Sequence, residues 1–152
     1  MSKMTNPMDL ISVGRISLDF YANESNVGFK DVKTFSMSIG GSPTNVAISA
    51  ARLGNKSAVI TNIGKDSFSD YILEKLKSFG VDTSYVGIDE TQFSPAVFAA
   101  MDDPYNPTIF FNRPTNAPDT KIPTEPSGKS TKLNKQKCFG FQPCALFKWT
   151  DG

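Results

Sequence analysis

The sequence predicts an α/β fold with a separate flap of strands. Three observations carry that prediction. An alternating run over residues 35–39 enters a Gly40-Gly41 turn, passes into a short helix of small residues, and is followed by an apolar β-rich run over 57–63. A second helix over 66–79 carries one apolar stripe (Phe68, Tyr71, Ile72, Leu76, Phe79), with Glu74, Lys75 and Lys77 facing away from it. Strand-like runs at 96–101 and 108–111, joined by the turn-rich 102–107, then read as a hairpin.

Taken in order, residues 10–13 are apolar apart from Ser12, and Ile16 and Leu18 continue the pattern past Gly14. This predicts one strand, buried first and half-buried later, with Asp19 at or just past its end. A carboxylate there is in most proteins a turn former or a helix cap. Residues 23–28 read as a polar loop. The alternation over 32–39 leaves one wet face, which suits an antiparallel flap better than a central strand. After the turn, Ser42 is placed to cap the helix N-terminus, with Pro43 at the first helical position, Arg52 in the last turn and Gly54 just past the end. The run over 57–63 reads as a parallel strand buried on both faces. Asp66 or Ser67 is placed to cap the second helix, which stops at Gly80, and 85–88 gives a further short strand.

The glycine turn is the candidate site. Paired glycines permit positive φ and close approach of a ligand, and a helix N-terminus presents unpaired N–H groups to an oxygen-rich molecule. Asn45 adds two donors and an acceptor. A Gly-Gly pair before a helix is by itself commonly only a tight turn, but here it heads a longer pattern. Gly40-Gly41-x-Pro43-x-Asn45-x-Ala47, six residues, Gly54, nine residues and Gly64 resembles the N-terminal signature of the PfkB (ribokinase-like) carbohydrate kinases at each fixed position. The runs at 11–19 and 57–61 resemble most the 5-dehydro-2-deoxygluconokinase branch, which serves inositol catabolism. The resemblance covers residues 9–122, a domain part that includes the lid strands.

That resemblance implies a ribokinase-like doubly wound sheet with a β-strand lid, of which the chain would hold the N-terminal part only. It implies transfer of the γ-phosphoryl of Mg-ATP to a hydroxyl of a sugar or keto-deoxy sugar acid. Asp19, Gly40, Gly41, Asn45 and Arg113 would be substrate-binding residues, Asp19 through sugar hydroxyls. Phe110-Phe111-Asn112-Arg113 is similar to a family segment in which an arginine holds carboxylate or carbonyl oxygens, a task that suits a planar, bidentate donor. A lone arginine past a strand is otherwise a solvated charge. Gly64-x-Asp66 also fits the family, with Ser69 where a glycine is usual. The family's catalytic aspartate lies in a Gly-Ala-Gly-Asp motif that does not occur in these residues. No catalytic, nucleotide-binding or metal residue is therefore assigned in this chain, and alone it is expected to be inactive. The alternative is a non-catalytic sugar-binding or dimerising module, and a homodimer through the lid is left open.

Composition bounds the rest. The 152 residues are 39% hydrophobic and 20% charged with a net charge of +1, which offers no electrostatic case for nucleic acid or a membrane surface. No run of about 18 apolar residues exists, so a cytoplasmic location is the expectation. The absence of histidine excludes Ser-His-Asp catalysis and His-ligated zinc. Cys138 and Cys144, the two cysteines, make no disulfide or metal framework. Residues 123–152 carry no family resemblance. Lys129, Lys132, Lys135 and Lys137 fall in an aperiodic, Ser/Thr-containing stretch that reads as disordered. Gly128-Lys129-Ser130 is rejected as a phosphate loop, because Pro123 stands where its first glycine is required. A truncated kinase, through a frame shift near codon 123 or a gene-model error, would produce this pattern.

Overall fold

The computed structural model describes residues 8–122 and the backbone of Cys138–Gly140. Two sheets share one core. The first is parallel and holds β1 (Leu10–Val13), β4 (Ser57–Gly64), β5 (Val81–Asp82), β6 (Val86–Asp89) and β9 (Cys138–Gly140). Its order is β5-β4-β1-β9, with β6 pairing the far half of β4 on the same edge as β5. The second holds β2 (Ser17–Ser25), β3 (Phe35–Gly40), β7 (Ala96–Met101) and β8 (Thr108–Asn112), in the order β3-β2-β7-β8. Helices α1 (Ser42–Arg52) and α2 (Ser69–Ser78) pack between strand connections.

β4 is buried along nearly its whole length, as the short β-rich run with Ala58, Val59, Ile60 and Ile63 predicts for a parallel strand covered on both faces, and it buries the polar Ser57, Thr61 and Asn62 as well. The hairpin of β7 and β8 is also where it was expected, paired antiparallel from Ala96↔Asn112 to Ala100↔Thr108. The single strand expected from residue 10 through Leu18 is instead two. Gly14, at φ 137°, turns the chain out of the first sheet. β2 then starts at Ser17 and runs to Ser25, absorbing much of the expected 23–28 loop. Asp19 is therefore the third residue of a strand, not its terminus. β2 also lies between β3 and the hairpin, so β3 joins β7 only through it.

The helix starts differ too. The residue preceding α1 is Gly41, at φ 102° and without a side-chain cap, so Ser42 is already helical. Leu53 and Gly54 (φ 85°) end α1 as expected. α2 begins at Ser69, after a turn over 66–69 that Asp66 closes: its carboxylate accepts from Phe68 N at 2.9 Å, in the manner of a cap, and also from Ser94 N at 2.6 Å. Of the expected stripe, Ile72 and Leu76 are fully buried while Phe68 is exposed. The core joins both sheets: Leu18, Ile39 and Ala96 of the second, with Ile16 just ahead of β2, meet Val59 and Ile63 of the first and Ala47, Ile48, Ile72 and Leu76 of the helices. Of residues 123–152, expected to be disordered, Cys138–Gly140 runs parallel to β1, and the others lie outside the described residues.

Candidate functional site

The first sheet positions the site by way of two close backbone crossings. At Gly41 a Cβ would strike the Arg15 carbonyl, and Thr44 Oγ1 donates to that same carbonyl at 3.2 Å. The N-terminus of α1 is thus pressed against the start of β2. At Gly64 a Cβ would fall on the backbone of residues 92–94, while Gly64 N donates to Ser94 Oγ at 3.0 Å. Together with Asp66 this fastens the entrance of β7 to the end of β4. Ser69, in place of the usual glycine, donates from its hydroxyl to Gly64 O at 2.6 Å and accepts from Asp66 N at 3.0 Å. The hydroxyl closes the turn.

Asp19 and Gly40 meet directly. A Cβ at Gly40 would coincide with the Asp19 carboxylate, so a glycine is required there for Asp19 to lie across β3. Ser17 Oγ donates to Asp19 Oδ1 at 2.7 Å and Tyr21 Oη donates to Oδ2 at 3.3 Å. Ser17, Asp19 and Tyr21 share one face of β2 by the two-residue period of a strand. Burial, then the charge of Asp19 and the bond to it, raise the Tyr21 phenol above its ordinary value, so it stays a donor. Asn45 is exposed in the first turn of α1, where its backbone N–H donates to Gly41 O at 2.9 Å. Among the described residues no hydrogen bond occupies its side-chain amide.

Arg113 follows β8 at the same end of the second sheet, because Leu18, Ala96 and Asn112 are register partners across β2, β7 and β8. Two strand spacings, about 10 Å, separate β2 from β8. The structure thus brings Asp19, Gly40 and Gly41 into contact or chain adjacency, sets Asn45 one helical turn away, and puts Arg113 across the sheet. Arg113 is not a solvated charge. Nε and Nη2 donate to Asp119 Oδ2 at 3.2 and 3.1 Å, and Asp119 is fully buried.

Sequence reasoning missed Asp119, Ser17 and Tyr21. The last two were findable: polar Ser17, Asp19, Tyr21 and Asn23 alternate with apolar Ile16, Leu18, Phe20 and Ala22. Asp119 gave no comparable signal, since its partner is fixed by a 3-10 turn, Pro118–Thr120, that no periodicity announces. Among the described residues no three His, Cys, Asp or Glu side chains cluster to hold a cation. Nor is any described helix long and apolar enough to cross a membrane.

The arrangement can hold a hydroxyl-rich molecule: an oriented carboxylate to accept from hydroxyls, an amide, a helix N-terminus, and a guanidinium for carbonyl or carboxylate oxygens. Comparison with known proteins places the chain among sugar kinases by sequence and fold. The chain is 34% identical over 144 residues to 5-dehydro-2-deoxygluconokinase of Geobacillus kaustophilus, covering 93% of the chain and 42% of the relative. It is 38% identical over 80 residues to the protein of that name from Clostridium tetani, covering 53% of the chain and 24% of the relative. The chain therefore spans less than half the length of these relatives. A sugar kinase from Pyrococcus horikoshii in complex with ATP superposes with a TM-score of 0.66 at 31% identity, over 72% of this chain and 35% of that one. Halothermothrix orenii fructokinase superposes with a TM-score of 0.68 at 26% identity, over 78% of this chain and 41% of that one. The fold is that of the ribokinase-like sugar kinases, represented in part. The family model for the pfkB family carbohydrate kinases matches residues 8–138, beyond the limit of 122 read from the sequence, and the chain belongs to that family.

Proposed function

We propose that the described residues form the sugar-holding part of an ATP-dependent kinase that phosphorylates a hydroxyl of a sugar or keto-deoxy sugar acid. The reaction is like that of 5-dehydro-2-deoxygluconokinase and serves inositol catabolism in the cytoplasm. The observation that carries this reading is Asp19, seated on a glycine, oriented by Ser17 and Tyr21, and placed beside the turn into α1. In this reading Asp19 and Asn45 hold sugar hydroxyls, Gly40 and Gly41 give the ligand access to the backbone, and Arg113 holds a carbonyl or carboxylate oxygen. The second sheet acts as the lid over the sugar.

Transfer breaks the bond between the γ-phosphorus and its bridging oxygen, forms a new one to the sugar hydroxyl, and needs a base for the hydroxyl proton. No described residue is assigned as that base or to ATP, so the 152-residue chain by itself is expected to transfer no phosphate. Calorimetric titration with 5-dehydro-2-deoxygluconate and, separately, with ATP tests the assignment. Binding of the sugar acid without measurable binding of ATP supports it. Binding of neither contradicts it.

One observation favours a second reading, a non-catalytic sugar-binding or dimerising module. β8 is an edge strand whose five residues are all exposed, including Ile109, Phe110 and Phe111. A bare apolar edge invites pairing. Sedimentation of the chain as a dimer that still binds the sugar acid would fit either reading, and a dimer without sugar binding would leave only interaction.

A further inference from the structure

We propose that Asp119 is the positioning residue for Arg113, and that substrate oxygens meet the guanidinium at its end-on Nη1/Nη2 edge. This deepens the sugar-holding reading and rests on it. The carboxylate of Asp119 is wholly buried, and Oδ1 has no partner among the described residues. All of its observed bonding goes through Oδ2, which accepts from both Nε and Nη2 of Arg113. A buried carboxylate with one cationic partner is a strong fixed constraint on that partner, because releasing the cation would leave an uncompensated charge in low dielectric.

The constraint has a defined geometry. Arginine carries five N–H donors in a planar fork. Asp119 occupies the side edge made by Nε and one hydrogen of Nη2, leaving both hydrogens of Nη1 and the second of Nη2. Those at the end of the fork are the pair that fit two oxygens of a carboxylate or a carbonyl–hydroxyl pair. The side chain of Arg113 is 27% exposed, so it is accessible, whereas Asp119 is not. Asp119 is itself anchored. Its turn, Pro118–Thr120, lies against β4, and the next residue is tied at two points: Asn62 Nδ2 donates to Lys121 O at 2.8 Å and Lys121 Nζ donates to Asp89 at 2.7 Å. The first sheet therefore aims a guanidinium that stands at the edge of the second. A flexible arginine would lose rotamer entropy on binding, and one already held loses less.

The test uses the 15N-labelled 152-residue chain, with the side-chain Nε–H signal of Arg113 followed by NMR, and 5-dehydro-2-deoxygluconate as the titrant. In the wild type that Nε–H is expected to exchange slowly with water. In Asp119→Asn it should be averaged away while the backbone amides of β4 and β7 keep their positions, and affinity for the sugar acid should fall about tenfold. Asp119→Glu, which keeps the charge on a longer stem, should fold even if Asp119→Asn does not, and should restore part of the affinity lost in Asp119→Ala. A rapidly exchanging Nε–H in the wild type overturns the proposal, as does unchanged affinity in Asp119→Asn or Asp119→Glu behaving as Asp119→Ala. A locked Nε–H in a wild-type chain that binds no sugar acid removes the sugar-holding reading and leaves the pair as a structural tie only.

Discussion

The two sheets differ in what their strands face. β4 of the parallel sheet is buried on both sides, with Val59 and Ile63 wholly inside. β8 of the second sheet is exposed at each of its five residues. Between these extremes β2 is two-faced. Leu18 and Ala22 pack inward, while Asp19 and Tyr21 look outward from the same strand. The parallel sheet supplies rigidity that its residues cannot display, and the second sheet displays chemistry that its own burial could not hold in place. The connections at Gly41, Gly64 and Asp119 are where the first lends its order to the second.

The largest way to break this comparison is to cut such a connection. Arg113→Ala should cost about 3–5 kcal/mol of stability by leaving Asp119 buried and unpaired, measured by denaturant unfolding. A loss below about 0.5 kcal/mol would place the pair among ordinary surface ion pairs. Next in size is a matched truncation. Leu76→Ala, in the shared core, should cost about 2–5 kcal/mol, whereas Ile109→Ala on β8 should stay within about 0.5 kcal/mol. Equal losses would deny the difference between the two sheets. Gly41→Ala should follow, at about 1–3 kcal/mol, because the residue stands at φ 102° with the Arg15 carbonyl where a side chain would begin.

How much of this was legible follows from what kind of signal each feature leaves. β4 was readable because its run is short, β-branched and bounded by Gly54-Asn55 and Gly64, which arbitrates for a strand over a buried helix. The β7–β8 hairpin was readable from its two β-rich runs and the Asp/Pro/Asn connector. The break between β1 and β2 was not, since Gly14 interrupts a pattern that stays apolar on both sides. The spaced glycine motif located the turn, and its physical reason emerged only in three dimensions: Gly40 makes room for Asp19, Gly41 for Arg15 and Gly64 for residues 92–94. Arg113 is singled out only by the resemblance of Phe110-Phe111-Asn112-Arg113 to a family segment, since by position alone it reads as a solvated charge. That a buried carboxylate six residues on restrains it could not be read, because nothing local to Asp119 marks it as buried.

A smaller effect concerns pH. The Lys121 ammonium, with bonds from Thr91, lowers the Asp89 carboxyl from 3.8 to about 2. A depressed carboxyl contributes stability that is full above its unfolded value and is lost as pH falls through the folded one. The melting temperature should therefore drop between about pH 4 and pH 2, and Lys121→Met should flatten that drop. An identical acid profile in the variant would show that Lys121 does not set the Asp89 titration.

The central claim is that Asp19, held by Gly40, Ser17 and Tyr21, grips a sugar hydroxyl. Calorimetric titration of 5-dehydro-2-deoxygluconate into the wild-type chain and into Asp19→Ala tests it most directly, with denaturant unfolding as the control for fold. The account predicts an affinity loss worth about 1–3 kcal/mol with stability nearly unchanged. Equal affinity in the two proteins would contradict it.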